Sequence, residues 1–164
     1  MPKKLHCMAI QTGDRIPDFS LPDQDNNMVR MADYIGKNNL VIYFYPKDNT
    51  SGCTAEACAF RDSFHEFKNI DAEVFGISSD SVKSHKSFAQ QYNLAFGLLS
   101  DSEKSVRKLF GVPGNLFGLV PGRVTYIVDK QGIVRGVYNS QMDPTGHVQK
   151  SLEKLKEISA ETVG

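Results

Sequence analysis

The sequence predicts an α/β fold, a central mixed β-sheet flanked by helices, with extra strands at the N-terminus. Three features lead to it. Residues 40–45 (Leu-Val-Ile-Tyr-Phe-Tyr) and 73–79 (Glu-Val-Phe-Gly-Ile-Ser-Ser) are short, largely apolar runs, as expected of strands buried on both faces. Strand-like and helix-like segments alternate along the chain, the pattern of helices packed on a sheet. Two further apolar runs, 123–128 and 133–139, are joined by Asp129-Lys130-Gln131-Gly132, a hairpin signal that makes the sheet mixed.

Taken in order, residues 1–10 read as an N-terminal tail and 11–160 as a single domain, a size that suits one hydrophobic core. Residues 14–22 and 28–31 read as short edge strands, the first bordered by prolines. After the strand at 73–79, Asp80-Ser81 supplies capping chemistry for a helix over 81–92. A strand at 97–100 and a helix at 103–110 follow, and the glycines and prolines of 111–122 make that segment a loop. The final helix, 145–158, sets Val148, Leu152, Leu155 and Ile158 on one face.

Composition narrows the function. Nineteen basic and nineteen acidic residues cancel, so neither nucleic acid nor an anionic membrane is an expected partner. No apolar stretch reaches the ~18–20 residues that span a bilayer, and no apolar run follows Lys3-Lys4 as a secretory signal requires. Three cysteines do not make a disulfide framework, and a reducing compartment with reactive thiols is the expectation. That points to the cytoplasm, with a mature chloroplast protein lacking its transit peptide as the alternative.

Cys53 and Cys58 lie where the strand at 40–45 gives way to a helix. A thiol at a helix start has its anionic form stabilised by unpaired N–H groups and the helix dipole, and the thiolate is the nucleophile. Cys53, Ala57, Phe60, Phe64 and Phe67 form one apolar stripe at helical spacing, expected to be the packed face. Cys58 falls roughly 140° away, near Asp62 and His65, and is expected to face solvent. In an intact helix, positions five apart have Cα atoms ~8–9 Å apart. A disulfide rarely tolerates more than ~7 Å, so joining these cysteines requires the first turn and a half to unwind. Thr50, three residues before Cys53, is expected to turn its hydroxyl toward the thiolate or toward an oxygen held beside it. Arg123 opens a core strand, an odd place for a permanent charge, and its fixed donors suit a nearby thiolate. Pro46 ends the strand, and its ring is placed to keep water off the sulfur.

These residues resemble a known pattern. Pro46-x-x-x-Thr50-x-x-Cys53 with the later Arg123 resembles the active-site signature of the peroxiredoxins. Residues 43–62 (Tyr-Phe-Tyr-Pro-Lys-Asp-Asn-Thr-Ser-Gly-Cys-Thr-Ala-Glu-Ala-Cys-Ala-Phe-Arg-Asp) resemble the peroxiredoxin Q, or bacterioferritin comigratory protein, subfamily. Residues 111–123 are similar to its plant and cyanobacterial branch. Ser51 departs from the pattern, which usually has proline there. The resemblance spans 11–158 and implies a thioredoxin-like fold and reduction of hydrogen peroxide and alkyl hydroperoxides. It implies Cys53 as the peroxidatic cysteine and Cys58 as the resolving one. Thr50 and Arg123 would hold and polarise the peroxide, and Pro46 would shield the sulfenic acid. It further implies an intramolecular disulfide recycled by thioredoxin, a monomer, and no metal or organic cofactor.

Two other functions compete. A disulfide oxidoreductase is disfavoured because such motifs read Cys-x-x-Cys. A redox-sensing interaction module would use the same unwinding helix. Cys7 is expected to be incidental and His6 part of the tail, while His65, His85 and His147 are expected on solvated helix surfaces. Cys-x4-Cys without a second ligand pair is no zinc site.

Overall fold

The strand Asn39–Phe44 (β3) is buried along its whole length and organises the rest of the molecule. The computed structural model describes residues 9–114 and 122–163. A five-stranded sheet runs in the order β5-β4-β3-β6-β7, with β4 at Ala72–Ser78, β5 at Gly97–Ser100, β6 at Val124–Val128 and β7 at Val134–Asn139. The first three of these pair in parallel, and β6 and β7 add antiparallel partners. Ser20–Pro22 (β1) and Met28–Arg30 (β2) form a separate antiparallel pair, shorter than the expected 14–22 and 28–31. Pro17 and Pro22 lack the N–H that a longer ladder needs.

Alternation along β3 divides the core in two. Val41 and Tyr43 face the helices Ser51–Asp62 (α1), Phe64–Asn69 (α2), Val82–Tyr92 (α3) and Gly146–Val163 (α5), meeting Phe60, Phe67, Phe88 and Leu155. Leu40, Ile42 and Phe44 face the N-terminal segment and Ser105–Phe110 (α4), meeting Phe19, Met31 and Phe110. The hydroxyl of Ser81 accepts from the Ser84 N–H, so α3 starts where the capping residues predict.

The register of β3 with β6 sets Phe44 opposite Val124. Arg123, one residue before Val124, therefore lies beside the point where the chain leaves β3 for α1. This pairing brings groups remote in sequence to one end of the sheet.

The apolar stripe from Cys53 to Phe67 is not one helix. It breaks at Ser63, whose backbone (φ −102°, ψ 7°) leaves the helical region. Cys53, Ala57, Phe60 and Phe67 are buried as expected, and Phe64 is half-buried. Phe60 stacks on Tyr43 with ring centroids 4.6 Å apart, and burial of such a ring contributes about 2–3 kcal/mol. Arg61 Nη1 donates to the Tyr92 carbonyl at 2.8 Å, tying the last turn of α1 to the end of α3.

His85 and His147 correct an expectation. Both are fully buried, because each lies on the inward face of its helix, with Phe88 and Ala89 in one case and Ser151 and Leu155 in the other. His65 is exposed. Cys7, His6 and residues 115–121 of the glycine-rich loop lie outside the described residues.

Candidate active site

Thr50 is the N-cap of α1, in extended conformation, and the first intrahelical bond runs from Thr54 N–H to Thr50 C=O. The N–H groups of Ser51, Gly52 and Cys53 therefore form the unspent donor end of the helix. Cys53, in this first turn, is almost wholly buried. Arg123 Nη2 donates to its sulfur at 3.3 Å, across seventy residues of sequence. Gly52 permits this approach, since a Cβ there would lie 3.0 Å from Arg123 Nη2. Gly52→Ala is expected to displace the guanidinium and slow the reaction of Cys53 with hydrogen peroxide about tenfold, with little loss of thermal stability. Rapid-quench mass spectrometry reads this directly, and an unchanged rate would remove the constraint assigned to Gly52.

A buried carboxyl group completes the site, and sequence reasoning missed it. Glu56 Oε1 accepts from Arg123 Nη1 at 2.6 Å, and both side chains are essentially inaccessible. At 100° per residue, position 56 falls about 60° from Cys53, at the edge of the apolar stripe. A charged residue bordering that stripe, together with Arg123 at a core strand, was the available signal. Burial pushes the Glu56 carboxyl up to about 8 despite the opposing pull of Arg123. Burial alone would lower the Arg123 pKa, but Glu56 and Cys53 outweigh it and the pKa is raised. The guanidinium is thus a fixed charge shared between a sulfur and a carboxyl group.

His147 stands behind Glu56, its Nδ1 3.6 Å from Glu56 Oε2. Burial lowers its pKa to about 4, so the ring is neutral at physiological pH. The Tyr43 ring lies on the same side, and burial with the neighbouring Glu56 and Cys53 raises its phenol well above its usual range.

The loop between β3 and α1 is anchored by a second buried network. Asp48 accepts from the Tyr45 hydroxyl at 2.6 Å and from the Ser84 hydroxyl at 2.8 Å, and His85 Nδ1 lies 2.8 Å from its Oδ2. Its backbone N–H donates to Asp80 Oδ2 at 2.8 Å. Asp48, Asp80 and His85 are also the one group among the described residues with metal-ligand spacing, but protein donors already occupy both carboxylates. The network fixes the segment from Pro46 to Thr50. Pro46 is half-buried, following the buried Tyr45. Thr50 is exposed, and its hydroxyl donates to the Lys47 carbonyl at 3.1 Å. Cys58 is half-buried on the far side of α1, and both cysteines are free thiols in an intact helix.

The constellation of nucleophile, helix end and arginine has counterparts. Residues 12–137 match the AhpC/TSA family. The chain belongs to that family. It is 51% identical over 154 residues to the chloroplastic peroxiredoxin Q of Arabidopsis thaliana, covering 94% of this chain and 71% of the relative. It is 50% identical to that of Sedum lineare, covering 91% and 80%. The crystal structure of the peroxidoxin BcpB of Mycobacterium tuberculosis superposes with a TM-score of 0.84 at 38% identity, covering 91% of this chain and 98% of that one. A peroxiredoxin Q mutant of Xylella fastidiosa gives 0.85 at 31% identity, covering 93% and 99%. The expected family and thioredoxin-like fold are therefore met, and this peroxiredoxin is a thiol-dependent peroxidase. Among the described residues, no helix is long and apolar enough to cross a membrane.

Proposed function

We propose that the protein reduces hydrogen peroxide and alkyl hydroperoxides at Cys53, resolves through Cys58, and is recycled by thioredoxin or a similar dithiol protein. The contact between Arg123 Nη2 and Cys53 Sγ at the open end of α1 is the observation that carries this reading. The Cys53 thiolate attacks the terminal peroxide oxygen. An S–O bond forms, the O–O bond breaks, and the electron pair leaves on the departing oxygen, which is protonated to water or an alcohol. Arg123 and the free N–H groups at the helix end are the donors available to that developing charge. The Thr50 hydrogen is committed to Lys47, so its oxygen offers lone pairs to the peroxide O–H. Pro46 screens the resulting sulfenic acid from water.

The Cys58 thiol then condenses with the sulfenic acid, releasing water and forming a disulfide, which spares Cys53 from irreversible oxidation. Within the intact α1 the Cα atoms are too far apart for this bond, by about 1–2 Å on helical geometry. The residues ahead of Cys58 therefore unwind, and reduction lets them rewind. Cys58→Ser is expected to react once with peroxide, turn over poorly with thioredoxin, and accumulate sulfinic acid. Peptide mass spectrometry after one equivalent of peroxide should find Cys53 joined to Cys58 in the natural protein, and amide exchange across 52–60 should rise on oxidation. Undiminished thioredoxin-dependent turnover in Cys58→Ser would remove the resolving role. The monomeric state follows from the family resemblance. The chloroplastic names of the relatives favour a plastid over the cytoplasm.

A further inference from the structure

The Glu56–His147 pair is a buried polar contact that the peroxide chemistry above leaves unused. His147 Nε2 lies 2.8 Å from the Ser140 carbonyl oxygen. A carbonyl oxygen only accepts, so Nε2 carries the hydrogen of the neutral ring and Nδ1 is a lone pair. That lone pair accepts from the Thr125 hydroxyl at 2.7 Å. It also faces Glu56 Oε2 at 3.6 Å, and Oε2 has no hydrogen-bond partner among the described residues. Neither side chain is accessible to solvent.

With Glu56 ionised, two lone-pair atoms would oppose each other in a space that excludes water. A proton on Oε2 removes this repulsion and the cost of an unpaired buried charge, while Oε1 still accepts from Arg123. We infer that Glu56 holds a proton on the oxygen that faces His147, and that the neutral His147, by disfavouring an anion there, is a positioning residue reserving the Arg123 charge for the Cys53 sulfur. The inference rests on the reading of Cys53 as the nucleophile.

The surrounding charges agree. The titratable groups facing Glu56 are Cys53 from its own helix, Tyr43 from β3, Arg123 ahead of β6, and His147 from α5. Asp143 and Tyr138 flank His147 on its outer side. When Glu56 is neutral, a Cys53 thiolate and Arg123 balance one for one. When Glu56 ionises, two anions share one guanidinium and the sulfur loses part of its partner. Burial raises the Glu56 carboxyl to about 8 from an ordinary value of 4.5, so the proton is held through neutrality and lost as pH climbs past about 8. The same linkage makes the closed helix less favourable than the unwound one as pH rises from 4.5 to about 8, since exposure frees the carboxyl to ionise.

Two measurements on the natural protein test the proton itself. Infrared difference spectra of the reduced protein should show a protonated-carboxyl stretch at pH 6 that disappears above about 8 and is missing in Glu56→Gln. Nitrogen-15 shifts of His147 should show the neutral Nε2–H ring at pH 6. Absence of the carboxyl band, or an imidazolium at that pH, overturns the inference. Its effect on chemistry is read from the rate of Cys53 oxidation against pH, with an alkaline decline in the natural protein. In His147→Gln the new amide N–H favours ionised Glu56, and the decline should begin about one pH unit lower. Identical profiles would overturn the positioning role. A natural protein that consumes no peroxide would instead refute the proposed function, while the spectra would still decide where the proton resides.

Discussion

Serine at position 53 is expected to abolish peroxide-dependent turnover, a loss of at least about 10⁴-fold. A hydroxyl ionises far less readily than a thiol, and one arginine with one helix end supplies only a few kcal/mol toward that difference. The substituted side chain remains within reach of Arg123, and the position is small and buried, so the fold should persist. A thioredoxin-coupled assay together with a thermal melt separates loss of chemistry from loss of structure. Residual turnover above about a tenth of the natural rate would assign the nucleophile to another thiol, with Cys58 the first candidate.

Replacement of Arg123 by alanine should slow Cys53 oxidation by about 10²–10³, the usual effect of removing one donor aimed at developing charge. Two consequences compete in stability. Stranding an ionised Glu56 would cost about 3–5 kcal/mol. Burial already raises that carboxyl to about 8, so Glu56 is protonated at neutral pH and no charge is stranded, and the cost falls to about 1–2 kcal/mol, the loss of one hydrogen bond and some packing. The variant should therefore fold at neutral pH and lose stability toward alkaline pH. The chain has no tryptophan, so sulfenic acid formation is best followed by rapid quench and mass spectrometry. A rate within threefold of the natural one would remove Arg123 from the chemistry.

Much of this was legible in the residues. The buried run at 40–45, the capped helix after Asp80-Ser81 and the hairpin at 129–132 declare themselves through local patterns, and each forms within a residue or two of its expected place. The break at Ser63 did not, because the apolar stripe continues across it in helical phase and only backbone conformation ends the helix. Glu56, His85 and His147 were missed for one reason. Polar side chains on helices read as solvated unless their angular position is set against the apolar face, and all three lie on that face. Asp48 gave no signal of its own, since its hydrogen-bond partners come from strand and helix residues brought together only by the sheet.

The tie from Arg61 to the Tyr92 carbonyl lies between Cys58 and the break at Ser63. Phe60, locked against Tyr43, falls in the same short interval. If Cys53 and Cys58 join as proposed, the backbone upstream of that clamp lets go and comes back, while everything downstream stays seated. The cycle thus resembles a hinged latch with a bolted far end, and each return stroke begins from the same stub of helix. Damage from repeated oxidation would then be confined to one turn and a half of chain, leaving the sheet beneath it undisturbed.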